Sequence, residues 1–123
     1  MSNLDDAFVD DDPDEDKLGD IVNGRVKIIT KKGQIRSGQE YDKLSADQKI
    51  ICCMAAVRAM ELREVIDSMK MSPSELAEIC PVPKGTIQSK INGIEVLEND
   101  GDGNHHLPGY NLDRAINLLE VED

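Results

Sequence analysis

Six residues between Lys84 and Asn92 have side chains suited to meeting the edges of nucleic-acid bases: Lys84, Thr86, Gln88, Ser89, Lys90 and Asn92. The amides of Gln and Asn pair bidentately with adenine, Lys contacts guanine or phosphate, and Ser and Thr serve either. No carboxylate interrupts this run before Glu95. A solvated helix face usually mixes both signs, so the omission favours an anionic ligand over a plain polar surface. Arg25, Lys27, Lys31, Lys32 and Arg36 form a second cationic group that could neutralise phosphates. Its plain alternative is a lysine-rich strand edge that discourages aggregation.

Ile87, Ile91 and Ile94 recur at i, i+4 and i+7. That spacing predicts a helix over Lys84–Glu95 with the isoleucines turned inward and the six polar residues outward. Upstream, Ser72-Pro73-Ser74-Glu75 combines an N-cap, a proline at the first helical position and a capping box. Leu76, Ala77, Ile79 and Cys80 supply the apolar side of the helix it opens. Pro81-Val82-Pro83 stops that helix, because neither proline has an N–H to give.

The remaining elements follow from the same signals. Ser45 to Gln48 forms another capping box. The apolar positions after it, from Ile50 to Met69, predict one long helix, since no Gly or Pro interrupts them; two helices bent near Met60 are the alternative. Before it, RVKIIT, KKG and QIRS read as a β-hairpin with Val26 and Ile28 on one face. After Glu95, Val96-Leu97-Glu98 and His105-His106-Leu107 flank the turn NDGDGN and make a second hairpin. Asn111 is expected to cap a last amphipathic helix built on Leu112, Ala115, Ile116 and Leu119.

The order of helix, capped helix, tight turn, polar helix and hairpin resembles the winged helix-turn-helix superfamily, in particular the small archaeal and bacterial transcription regulators. Residues 72 to 107 carry the resemblance, with SELAEICPVPKGTIQSKINGI at its centre, and the helix after Ser45 supplies the supporting first helix. It implies a mostly α fold with small β-hairpins (α+β). It also implies a DNA-binding transcription regulator whose helix Lys84–Glu95 reads the major groove of double-stranded DNA. A homodimer on paired half-sites is expected, joined through the last helix or the long one. Three features depart from the family pattern. Pro81 stands where the turn usually has Gly, Asn92-Gly93 falls late in the polar helix, and Asp100 and Asp102 make the wing acidic where it is usually basic.

The chain of 123 residues has a formal charge of -11 and a sequence pI near 4.5, a balance that DNA repels. The excess is uneven. Residues 1–20 sum to -8, residues 21–43 to +4, residues 44–98 to -2 and residues 99–123 to -5. Three segments are therefore expected: an acidic tail without structure over 1–20, a basic hairpin or arm over 21–43, and the winged helix-turn-helix domain with its C-terminal helix over 44–123. The tail is expected to lie loosely over the basic patch when DNA is absent. An alternative function is a protein-binding winged helix, either an adaptor or an acidic mimic of DNA, because one fold serves both roles.

Other chemistry finds little support. Cys52, Cys53 and Cys80 are an odd set in a chain without secretory features, read as small core residues. Asp100, Asp102 and Asn104 lack the glycine and bidentate Glu of a calcium loop. His105 and His106 alternate faces if they lie in a strand, so one metal ion is not expected between them. No phosphate loop, nucleophile elbow or Cys-His arrangement occurs, so neither enzymatic activity nor a cofactor is expected. No apolar run reaches the roughly 20 residues of a membrane span, and the acidic N-terminal stretch is not expected to act as a signal peptide. A cytoplasmic protein is the expectation, nucleoid-associated if it binds DNA.

Overall fold

The computed structural model describes residues 13–120. Among them are five α-helices and two antiparallel hairpins, a mixed α and β architecture. In chain order these are α1 (Glu15–Val22), β1 (Val26–Ile29), β2 (Gln34–Ser37), α2 (Ala46–Leu62), α3 (Pro73–Ile79), α4 (Lys84–Lys90), β3 (Glu98–Asn99), β4 (His105–His106) and α5 (Leu112–Glu120). Residues 1–12 of the expected acidic tail lie outside the described residues.

The structured part begins earlier than the charge pattern suggests. Residues 15–20, expected to be unstructured, form most of α1. Asp14 caps it by accepting from the N–H groups of Asp16 and Lys17 at 2.9 and 3.2 Å, and Glu15 and Asp16 suit the positive end of the helix dipole. Leu18 and Ile21 are buried against α2 and α5. Two apolar side chains at i and i+3 thus anchor a segment whose net charge marks it as solvated.

Helix α2 is the centre of the molecule. Every residue from Ile50 to Arg58 is buried, because α1, β1, α4 and α5 all pack on it. The expected capping box forms in full: Ser45 Oγ accepts from the Gln48 N–H at 3.2 Å, and Gln48 Oε1 accepts from the Ser45 N–H at 2.9 Å. The helix does not continue to Met69. It ends at Leu62 in a Schellman motif: the Val65 N–H reaches Met60 O at 2.8 Å, the Glu64 N–H reaches Glu61 O at 3.0 Å, and Glu64 sits at φ 60°. That position normally belongs to Gly, which is why the stop is silent in the sequence.

The first hairpin forms as expected, with Ile28 opposite Ile35 and Lys27 opposite Arg36. Val26 and Ile35 are buried on α2's side, leaving Lys27, Ile29 and Arg36 on the other. Cys52, Cys53 and Cys80 are all buried free thiols. Burial pushes the Cys52 thiol up to about 12, so it packs as a neutral apolar group.

Leu112, Ala115 and Leu119 of α5 are buried within the chain, where α5 packs on α1 and α2. Ile116 is half-buried and Leu118 exposed on the same helix, while α2 has most of its apolar side chains in the core. Asn111, expected to cap α5, instead lies in the 3-10 turn that runs into it, and donates its side-chain amide to Val96 O at 2.9 Å. Among the described residues no helix is long and apolar enough to cross a membrane.

Candidate nucleic-acid interface

Helix α3 and the turn after it set the position of α4. Ser72 Oγ accepts from the Glu75 N–H at 3.2 Å and Glu75 Oε1 accepts from the Ser72 N–H at 3.1 Å, completing the second capping box. Cys80 ends α3 in extended backbone, Val82 is buried in the turn, and α4 starts directly after Pro83. Leu76 beneath α3 and Ile87 beneath α4 are both fully buried, and the two helices pack together. Pro81 and Pro83 flank Val82 in this turn without preventing the arrangement.

The isoleucine stripe turns inward as its spacing requires: Ile87, Ile91 and Ile94 are all buried. Regular α-helix, however, stops at Lys90, and Ile91–Gly93 form a 3-10 turn. The element is shorter than the expected Lys84–Glu95 because Asn92-Gly93 are poor helix formers. Its seven residues still rise about 10 Å, close to two turns.

Lys84, Gln88, Ser89, Lys90 and Asn92 are exposed, and Thr86 is half-buried. The Ser89 hydroxyl donates to Thr86 O at 3.1 Å, so it is engaged by its own helix. The freely presented groups are thus Lys84, Gln88, Lys90 and Asn92, two ammonium groups and two amides. Among the described residues neither lysine forms an ion pair given by the structure.

Gly85 belongs with this face, although its side-chain inventory says nothing. It is exposed in the first turn of α4, and a Cβ added there would meet no atom within 4 Å. The fold therefore does not need glycine at that position, and glycine costs a helix roughly 1 kcal/mol relative to alanine. A glycine without an internal reason suits close approach of something outside the chain. The signal was present in the sequence but invisible without knowing that the position is open.

The cations of the first hairpin do not act as one group. Lys27 and Arg36 lie opposite each other on its exposed face, and Lys31 and Lys32 are exposed in its turn. Arg36 is tied to Gln34 at 2.6 Å. Arg25 turns back to the end of α1, where Nη1 donates to Asp20 O and Ile21 O at 2.8 and 3.1 Å. A cation there satisfies terminal carbonyls and complements the helix dipole, so Arg25 serves the fold. The hairpin packs on α2 through β1, and α4 packs on α3 and on the same α2.

The second hairpin is held beside α3 by a third strand position. Met71 and His105 exchange both backbone hydrogen bonds at 2.8 Å, giving the order Met71, β4, β3 across the small sheet. At its tip the acid has a structural use. Asp100 Oδ1 accepts from the N–H groups of Asp102 and Asn104 at 2.8 and 3.3 Å, while Gly101 and Gly103 take φ of 88° and 89°. The Asp102 and Asn104 amides hold the Asp100 carboxyl below the usual carboxylate range, with partial desolvation opposing them. Asp102 remains exposed.

His105 is buried, and desolvation lowers its pKa from the ordinary value of 6.5 against the opposing charge of Asp100. The folded chain thus resists protonating this ring. The associated stability is present above the unfolded value and is lost as pH falls from there to the depressed folded pKa. Urea midpoints measured at about pH 7.5 and about pH 5.5 should fall on acidification, and fall less in His105→Asn, which has no ring to protonate. Equal losses in both proteins would exclude His105 as the source.

Comparison with protein-family models, with curated proteins and with solved structures found no match to this chain.

Proposed function

We propose that the protein is a winged-helix regulator that binds double-stranded DNA, with α4 entering the major groove. The observation that carries this reading is an outward polar surface: Lys84, Gln88 and Lys90 are exposed on α4 and Asn92 in the 3-10 turn that follows it, while Ile87, Ile91 and Ile94 of the same segment are buried. A two-turn element bearing one amide and two cations fits the groove in width and chemistry. The Met71, β4, β3 strand order supports it by fixing a hairpin next to the helix pair, as a wing requires. Lys27, Lys31, Lys32 and Arg36 are available for phosphate; Arg25 is not part of this set.

Gly85→Ala tests the reading with opposite signs on two measurements. Alanine should stabilise α4 by up to about 1 kcal/mol in urea unfolding, while weakening duplex binding in a fluorescence-anisotropy titration because the added methyl meets the DNA backbone. A variant that gains stability and keeps its full affinity would remove Gly85 from the interface.

A protein partner is the second reading, and the exposed Asp102 at the hairpin tip is the observation that favours it. Wild-type duplex affinity at two salt concentrations separates the two. DNA binding through several cations falls steeply with salt, whereas a chain that engages another protein through this face shows no duplex affinity to lose.

A further inference from the structure

We propose that a cavity beside the end of α4 binds a single α-amino acid with an apolar side chain. The cavity, about 550 Å³, lies between the N-terminus of α2, the segment Gly93–Val96 and α5. Its size is within the range of small-ligand sites. The floor is apolar: Ile51, Ile94 and Val96 line it and are buried. At its edge stands Leu118, 43% exposed, the most exposed large apolar side chain among the described residues. Leu118 packs little within the chain and offers a contact for an apolar group entering the cavity.

The polar groups at the mouth define the rest of the ligand. Arg114 Nη2 lies 3.6 Å from Glu95 Oε2, and their side chains are 58% and 86% exposed. A charge-assisted hydrogen bond is normally 2.7–2.9 Å, so this pair is loose, and exposed pairs of this kind exchange partners at little cost. Asp47 lines the same cavity and forms no ion pair given among the described residues. One guanidinium and two carboxylates match a zwitterion. Its carboxylate would take Arg114, its ammonium would take Glu95 and Asp47, and its side chain would lie on Leu118 and the floor. A simple amine leaves Arg114 engaged with Glu95, and a simple acid meets two like charges.

Two of the lining residues are joined to each other. Gln48 Nε2 donates to Leu118 O at 3.0 Å while Gln48 Oε1 accepts from the Ser45 N–H, so α5 and the start of α2 are tied together. Ile94, Glu95 and Val96 follow the 3-10 turn at the end of α4, and a ligand here would join that segment to α2 and α5. The site stands on its own geometry and does not depend on DNA binding.

Methyl NMR spectra of the full chain, titrated with L-leucine, 3-methylbutylamine and 4-methylpentanoate, test the assignment. Leucine should shift the methyl signals of Ile51, Ile94, Val96 and Leu118 saturably, and the amine and the acid should bind at least about tenfold more weakly. Arg114→Gln, at an exposed position, should keep the fold and lower leucine affinity about tenfold or more. Absent shifts would overturn the proposal. So would an equal response to the amine or the acid, or unchanged affinity in the Arg114 variant.

Discussion

Alanine at Lys84, Gln88 and Lys90 together is expected to lower duplex affinity by about 100-fold or more while leaving the fold intact. In the proposed complex Gln88 would meet a base edge, a contact worth about 1–3 kcal/mol of discrimination. Lys84 and Lys90 would contribute counterion release there, each lysine that meets phosphate adding about 0.9 to the salt slope. Removing both should flatten the logarithmic dependence of affinity on salt by close to 2, if both meet phosphate. All three side chains are exposed, so each substitution should change unfolding free energy by no more than about 0.5 kcal/mol. Anisotropy titrations at two salt concentrations, paired with urea unfolding, check both halves. Retained affinity with an unchanged salt slope would move any DNA contact off α4.

Leu18→Ala is expected to destabilise the chain by about 2–5 kcal/mol, the usual cost of emptying a buried leucine site. Charge alone assigns Leu18 to a solvated tail, where its truncation would cost nothing. The structure buries it at 2% exposure where α1 packs on α2 and α5. Leu62→Ala is a suitable control, because Leu62 is 37% exposed and should lose far less. A change below about 0.5 kcal/mol in the Leu18 variant would mean that α1 is not part of the cooperative core. The same geometry refines any deletion of the acidic stretch: removing residues beyond Asp14 takes away the α1 cap and its first turn, so a test of the acidic segment alone must stop before Pro13.

The departures from the expected elements share a cause. Helix α2 ends at Leu62 because Glu64 accepts a left-handed backbone that lets Val65 close onto Met60. Nothing local marks Glu64 for that role; helix periodicity continues past it through Val65, Ile66 and Met69. Arg25 reads as a phosphate ligand by charge, yet the C-terminal end of α1 claims it. Arg58 is buried on a helix face that the sequence leaves ambiguous. In each case the residue type fits two environments, and only its neighbours decide between them.

Local chemistry by itself determined the two capping boxes at Ser45 and Ser72, the proline stop after Cys80, both hairpins and the inward turn of Ile87, Ile91 and Ile94. These features depend on interactions spanning a few residues, so their signals are complete within a short window. Tertiary structure decided that α1 joins the core, that α5 spends its apolar face inside the chain, that Met71 adds a strand position beside β4, and that Gly85 stands open at the start of α4. Those outcomes depend on which surfaces meet across the whole chain, from Leu18 near one end to Leu119 near the other. Spacing along the chain can mark which face of one element turns inward, but it carries no record of which surfaces then meet.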